Sequence, residues 1–335
     1  MERKLVSVVV IDDLQPIAGA DLIEVATVKG WKLVVKKNEF RIGGHAVYCE
    51  IDSFLPEKEE FEFLRKSSFR KMGEQGGFRL KTMKLRGQIS QGLLIPVTVL
   101  NGYPYTLGED ISAQLGIVKY EPPVPASLAG IAKGNFPSFI PKTDEERIQN
   151  LSAEYEAYKK EIFYVTEKLD GSSATFYLRD GEFGVCSRNL DLLETADNTF
   201  WKIAHRLHLP AKLAALDKNM ALQGELIGEG IQGNPYGIKG QTVRFFNAFD
   251  IDAYTYLPLT AFQEITRLMG LEHVPILDMA FTLPDTVDEL LLAAEGNSAL
   301  SPAGKHVERE GVVIRSADKR ISFKVISNKF LLNEK

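Results

Sequence analysis

The sequence predicts an α+β chain: an N-terminal OB-like β-barrel followed by a domain of antiparallel sheets with flanking helices. Three observations carry this expectation. Short apolar runs separated by Gly-rich turns fill residues 1 to about 118. A Pro- and Gly-rich stretch breaks the pattern between Tyr120 and Pro141. Beyond it, helical and alternating segments are interleaved. The expected boundaries are residues 1–120 for the first domain, 121–140 for a linker and 141–335 for the second domain.

Taken in order, Leu5 to Ile11 is an apolar run suited to a buried strand, and Trp31 to Val35 is a second candidate. Ala46 to Ile51 follows the turn signal Gly43-Gly44, and Leu93 to Val97 adds a further strand. Glu121 to Pro125, with Gly130, Gly134, Pro137 and Pro141, is poor material for regular structure. Thr143 and Glu146 have the spacing of a capping box, and Ile148, Leu151, Tyr155 and Tyr158 recur at helical spacing after them. A strand over Ile162–Thr166 leads into a lysine-bearing loop, then a hairpin that turns at Asp180-Gly181. Further strands are expected at Ala221–Ile227, Arg244–Asp252, Gly311–Arg315 and Ile321–Ile326. Helices are expected at Phe200–Arg206, Leu259–Leu268 and Val287–Ala294, the last with a capping box from Thr286 and Glu289.

Hydrophobic residues make up 44% and charged residues 25%, the balance of a soluble globular protein. No apolar run approaches the roughly 20 residues needed to cross a bilayer, so no membrane partner is expected. The first residues lack the apolar stretch of a secretory signal. Cys49 and Cys186 are the only cysteines, which excludes a disulfide framework or a cysteine zinc site and fits a cytoplasmic location. The net charge of −5 opposes whole-protein attraction to nucleic acid, but the distribution is uneven. Arg65, Lys66, Arg70, Lys71, Arg79, Lys81, Lys84 and Arg86 form a basic run broken only by Glu74. Phe69 and Phe78 lie among these charges, the mixture of a phosphate-and-base surface.

The chemistry-bearing residues lie in the second half. Lys168 stands in Glu167-Lys168-Leu169-Asp170-Gly171, which alone is an ordinary surface pattern. Glu225 is embedded in the apolar strand Leu222–Gly228, and Glu310 stands at the mouth of Gly311-Val312-Val313-Ile314. A carboxylate in such a place is costly unless it is paired or binds a cation. Lys324 sits inside the alternating strand Ile321–Ile326.

In order and type, Lys168-x-Asp170-Gly171, Ser187-Arg188-Asn189, Glu225, Phe246-Asn247-Ala248-Phe249-Asp250-Ile251, Glu310-Gly311-Val312-Val313 and Phe323-Lys324 resemble the motifs of covalent nucleotidyltransferases. The resemblance covers roughly residues 140–330 and implies that this part is a nucleotidyltransferase domain in which Lys168 becomes adenylylated. It also implies that Phe249 lies over the adenine, that Arg147 and Arg188 contact phosphates or ribose, and that Glu167 borders the adenine edge. A free lysine, with a pKa of about 10.4, is protonated at neutral pH and cannot attack phosphorus. Burial, a neighbouring cation such as Lys324, and a metal ion would each disfavour the charged form. Asp170, Glu225 and Glu310 are the candidate ligands for Mg²⁺ or Mn²⁺, Glu225 also serving the ATP site, and Lys324 would bear on the α-phosphate. One position departs from the pattern: Ile326 stands where the superfamily commonly has a second lysine, so either Lys329 substitutes or the role is absent.

Only 11 residues follow Lys324, so the accessory domain is expected before the motifs. With an N-terminal OB-like module and the segment Pro141 to Gln149, the chain resembles the Deinococcus- and Naegleria-type RNA ligases. That resemblance implies an ATP-dependent enzyme acting on nicked duplex whose 3′-hydroxyl strand is RNA, with the basic run as a contact; a monomer is expected, though no motif reports oligomeric state. A GTP-using capping-type guanylyltransferase and a non-catalytic RNA-binding protein are the alternatives.

Overall fold

Val6–Val10 (β1) consists of β-branched residues around one serine and has no polar face, so it folds only where both sides are covered. In the computed structural model, which describes residues 4–121, 130–318 and 320–333, it is buried along nearly its whole length. The chain divides into two compact units: Met1–Pro123 with Ile148–Tyr155 and Leu331–Lys335, and Val124–Arg147 with Glu156–Phe330. Among the described residues no helix is long and apolar enough to cross a membrane.

The first unit is built from short antiparallel strands. After β1 come Asp13–Pro16 (β2), Ile23–Val28 (β3), Trp31–Lys36 (β4), His45–Cys49 (β5) and Ser53–Pro56 (β6). Phe69–Met72 (β7), Gln75–Arg79 (β8), Thr82–Leu85 (β9), Gln88–Gln91 (β10), Leu93–Pro96 (β11) and Val118–Lys119 (β12) complete the set. They pair as β1-β5-β11, β2-β3-β4, β12-β6-β8-β7 and the hairpin β9-β10. Val8, Val47, Leu55, Phe61, Phe78 and Ile111 meet in its core. The segment around Gln149 belongs to this unit: Trp31 Nε1 donates to Asn150 Oδ1 at 2.8 Å, and a Cβ on Gly30 would lie 2.9 Å from Gln149 Cα.

The second unit holds two sheets. The larger runs β13-β17-β16-β15-β18-β19-β20, where β13 is Ala132–Asn135, β15 Ser172–Arg179, β16 Glu182–Cys186 and β17 Leu190–Leu192. β18 is Met220–Gly228, β19 Gln241–Asp250 and β20 Thr255–Tyr256. The smaller runs β21-β14-β22-β23, with β14 at Phe163–Lys168, β21 at Ile276–Phe281, β22 at Gly311–Ser316 and β23 at Ser322–Ile326. Helices α1 (Thr199–Arg206), α2 (Leu209–Ala214) and α3 (Leu259–Leu268) bring Trp201, Leu209 and Phe262 into one core with Phe176, Leu222 and Phe245. Asn198 caps α1 by accepting from Phe200 N and Trp201 N. Helix α4 (Val287–Ala293) begins with the expected capping box of Thr286 and Glu289.

Three local expectations are corrected. No helix opens at Thr143 and Glu146. Thr143 Oγ1 instead bonds Ser173 Oγ at 2.9 Å and Glu146 Oε1 accepts from Arg147 N at 2.8 Å, so other partners take the two side chains a capping box would use, while the Glu146 carbonyl accepts Lys324 N at 2.8 Å. Only the short turns Ile148–Leu151 and Tyr155–Tyr158 are helical. The Pro- and Gly-rich stretch is not wholly irregular: β13 joins the larger sheet by pairing with β17, while residues 122–129 lie outside the described residues. Lys168 is the last residue of β14 rather than a loop residue.

Candidate active site

The smaller sheet places its polar side chains by register. β14 pairs with β22 so that Lys168 faces Gly311, Thr166 faces Val313 and Tyr164 faces Arg315. β22 pairs with β23 so that Val313 faces Lys324. Paired residues share a face and alternate positions repeat it, so Lys168, Thr166, Arg315 and Lys324 stand on one side. Val165, Val312 and Ile314 point to the opposite side, beneath Leu290 and Ala294 of α4 and its end. The lysine pair therefore occupies the one face of this sheet that the helix leaves free.

Beyond Lys168 the chain must turn back into β15, and the turn is tight. A Cβ on Gly171 would lie 2.4 Å from Leu226 O and 2.8 Å from Glu225 Cγ, so only glycine allows the turn to lie against β18. That approach brings Glu225, in register with Ser173, beside the lysine. Lys168 Nζ lies 2.7 Å from Glu310 Oε1, with the lysine side chain 28% exposed. Burial acts to lower the lysine pKa, but Glu310, Glu225 and Asp170 outweigh it and raise it above the ordinary value. Burial thus acts in the expected direction, and the three carboxylates oppose it. Glu225 is pushed up to about 8, first by burial and then by Glu310 and Asp170, with Lys168 pulling the other way.

Asp170, Glu225 and Glu310 all act on Lys168, but among the described residues no three acidic, histidine or cysteine side chains are drawn together as a metal cage. Hard carboxylate oxygens already gathered around one cation nevertheless fit Mg²⁺ or Mn²⁺, which bind few protein carboxylates and keep water or phosphate ligands. Lys329, the expected substitute for the lysine missing at Ile326, pairs with Glu295 Oε2 at 2.7 Å.

The remaining expected residues separate into two groups. Arg188 approaches the site electrostatically, acting on Glu225, while its Nη2 lies 2.8 Å from both oxygens of Asp144. Arg147 is buried and forms an isolated parallel bridge with Lys324, so the end of the strap 141–147 meets β23 there. Glu167 is buried with both oxygens engaged, one by Ser298 Oγ and the other by Ala299 N at 2.8 Å. Its carboxylate holds the 298–299 loop rather than an open ligand edge.

Phe249 requires a correction. Its ring is 2% exposed and packs edge-on against Tyr254 and Tyr256, in a cluster with Ile140, Tyr177 and Ile251. No face is open to a base. Phe246, three residues earlier, is the partly exposed aromatic of this strand. The β18–β19 register passes from Gln223–Asn247 to Gly224–Phe245, which leaves Phe246 as the extra residue of a β-bulge. It is partly exposed, packs against the buried cluster of Leu169, Ile227, Tyr236 and Val274, and has the Arg315 guanidinium 5.9 Å from its centroid. Arg315, only 3% exposed, donates to Thr166 Oγ1 at 3.2 Å and to Glu145 Oε1 at 3.0 Å. A charged residue in an otherwise apolar strand was the available signal for Arg315, and Gly224 inside a strand was the signal for the bulge.

In the first unit the basic run is not one surface. Arg65 is committed to Glu57 and Glu62, each at 2.6 Å, and lies over Phe69. Arg79 lies 3.4 Å from Asp52 and over the Tyr120 ring. Lys66, Arg70, Lys71, Lys84 and Arg86 are exposed, and Lys81 is half-buried. Phe78 is a core residue with no exposure, so it is not part of a phosphate-and-base surface as its place among the charges suggested.

A family model described as an OB-fold domain matches residues 5–97, and one described as RNA ligase matches residues 161–328. Among solved structures, the chain is similar to an apo aspartate-to-alanine mutant of Naegleria gruberi RNA ligase, at 42% identity and TM-score 0.91 over 98% of this chain and 97% of that one. It is similar to a lysine-to-methionine mutant of the same ligase with AMP and Mn, at 42% identity and TM-score 0.92 over 99% of both chains. A lysine-to-alanine mutant with ATP and Mn gives 42% identity and TM-score 0.92 over 99% of both chains. A comparison with curated proteins finds no match. The fold class read from the sequence holds: an N-terminal OB-fold domain precedes a domain of antiparallel sheets with helices.

Proposed function

This chain belongs to the RNA ligase family, and on that premise we propose that it seals 3′-hydroxyl/5′-phosphate nicks through a Lys168–AMP intermediate. The observation that carries this reading is the lysine itself: Lys168 Nζ at a strand end, held 2.7 Å from Glu310 and sharing a sheet face with Lys324. Similarity over nearly the whole chain to a ligase crystallised with ATP and Mn supports ATP as the nucleotide and a divalent ion as cofactor.

In the first step Lys168 Nζ forms a bond to the α-phosphorus of ATP and pyrophosphate leaves. Before attack the lysine must lose the proton that the three carboxylates stabilise. A bound Mg²⁺ or Mn²⁺, held by Glu225, Glu310 and Asp170, would neutralise those carboxylates and add positive charge beside the phosphate. Lys324 stabilises the negative charge that develops on the phosphate oxygens, and Arg188 and Arg147 bind phosphate or ribose. Phe246, re-aimed by its bulge, stacks on the base. In the second step an oxygen of the 5′-phosphate end attacks the same phosphorus, the P–N bond breaks, and Lys168 is released. In the third, the RNA 3′-hydroxyl attacks the 5′-phosphate and AMP leaves. Each is an in-line displacement at phosphorus, so one set of cations serves all three.

The substrate in this reading is a nicked duplex with an RNA 3′-hydroxyl strand, bound with help from the exposed basic residues of the OB-fold domain by a monomeric enzyme. Free, buried Cys49 and Cys186 support a reducing, cytoplasmic setting. The test is incubation with Mg²⁺ and α-labelled ATP or GTP, followed by denaturing electrophoresis. The expected result is a label from ATP that Lys168→Ala abolishes. A label from GTP alone would make this a capping-type guanylyltransferase, and no label in protein shown to be free of AMP would leave a non-catalytic RNA-binding role.

A further inference from the structure

The turn after Lys168 lies between two ladders. β14 ends at Lys168 and β15 begins at Ser172, so the backbone of Leu169 to Gly171 takes no part in either ladder. Asp170 N–H instead donates to the phenolic oxygen of Tyr236 at 2.7 Å, and Gln232 Nε2 donates to the Gly171 carbonyl at 3.3 Å. Both come from the Gly-rich loop between β18 and β19. That loop is braced from within: Asn234 accepts from Ile238 N at 3.0 Å and donates to Ile238 O at 2.9 Å, and Glu229 N donates to Gly240 O at 2.7 Å. The Tyr236 ring is buried against Leu169, Ile227 and Val274, so packing rather than a flexible tether sets the hydroxyl position. On its other side the turn is blocked by Leu226 O and Glu225.

We propose that Tyr236 is a positioning residue for Asp170: its hydroxyl, by accepting the Asp170 N–H, fixes the turn that places this carboxylate beside Lys168. A phenol kept in an apolar pocket needs a hydrogen-bond partner, and phenylalanine would fill the same space without one. The hydroxyl is therefore retained for what it holds. The inference rests on Lys168 adenylylation as proposed above.

The test is Tyr236→Phe, which keeps the ring. In ligand-free protein, hydrogen exchange of the Asp170 amide, followed by mass spectrometry on peptides spanning 169–171, should accelerate at least about tenfold. The single-turnover rate of Lys168–AMP formation should fall about tenfold, with the melting temperature little changed. In an Asp170→Ala background, Tyr236→Phe should cause no further loss of rate. Gln232→Ala, at an exposed position, should lower the rate in the same direction and supplies a second variant should Tyr236→Phe fold poorly. An unchanged exchange rate and labelling rate in Tyr236→Phe, or an equal loss in both backgrounds, would overturn the proposal. Absence of label in the wild type would instead reject the parent reading, and the exchange measurement would still decide the contact.

Discussion

Lys168 and Glu310 form an ion pair of 2.7 Å across neighbouring strands, and the register that pairs Lys168 with Gly311 makes it possible. Gly311 is itself obligatory there, because a Cβ would lie 2.2 Å from Val325 O on β23. The site is thus assembled by strand pairing, which is why it can be altered one side chain at a time without unfolding.

Lys168→Met should abolish protein–AMP formation, because no other side chain offers a nitrogen in the same place. Its side chain is 28% exposed, so truncation costs little packing, and the circular dichroism spectrum should be unchanged. Glu310→Ala should reduce labelling by at least about a hundredfold, since it removes the partner that orients the amine. Quantitative autoradiography after a fixed reaction time reads both.

Phe246 and Phe249 should respond in opposite ways. Phe249→Ala leaves a cavity beneath Tyr254 and Tyr256 and should cost about 3–5 kcal/mol in urea denaturation. Phe246→Ala should cost less stability but raise the KM for ATP about tenfold, the effect of losing about 1–3 kcal/mol of base stacking. A stability loss confined to Phe246→Ala would reverse the assignment.

The order of elements was legible because alternation and helical spacing report burial directly; the Thr286 cap and the Asp180-Gly181 hairpin formed as expected. Glu225, in an apolar strand, and Glu310, at the mouth of another, stood out because a carboxylate there is costly. What could not be read were features set by pairing between distant segments. The bulge at Phe246 arises from a register shift against Gly224, and the strap at 141–147 is extended because Gln223, Arg315 and Lys324 supply its partners.

Gly171→Ala should damage the site more than its size suggests. The new Cβ meets the Leu226 carbonyl and Glu225 at once, so the turn must move away from β18. Overpacking of this kind costs about 1–3 kcal/mol, and displacement of Asp170 should lower single-turnover labelling at least about tenfold. Calorimetric melting and rapid-quench labelling separate the two effects.

Cys49 offers a pH test of the first unit. Burial pushes its thiol up to about 12 from an ordinary value of 9.0. Below pH 9 both folded and unfolded chains hold the proton, so stability is unaffected. Above it the unfolded chain ionises first, and stability is lost with rising pH until the folded thiol also titrates. Relative to Cys49→Ala, the wild type should lose about 1.4 kcal/mol per pH unit above pH 9, measured by urea denaturation. At pH 8 neither buried cysteine should react with a thiol reagent until the chain is unfolded.

The basic run should divide by partner rather than by position in sequence. Arg65 and Arg79 have their charge engaged by Glu57, Glu62 and Asp52, so replacing them should lower stability more than nucleic-acid affinity. Lys66, Lys71, Lys84 and Arg86 are exposed, and replacing them with alanine should weaken nicked-duplex binding. For every phosphate that a variant no longer neutralises, the slope of log affinity against log salt should shrink by about 0.9. Protein–AMP formation should be unaffected, because the nucleotide chemistry belongs to the second unit. Fluorescence anisotropy with a labelled nicked duplex between about 50 and 200 mM salt measures the slope. An unchanged slope in the fourfold variant would mean that these lysines and Arg86 are solvated charges that touch no phosphate.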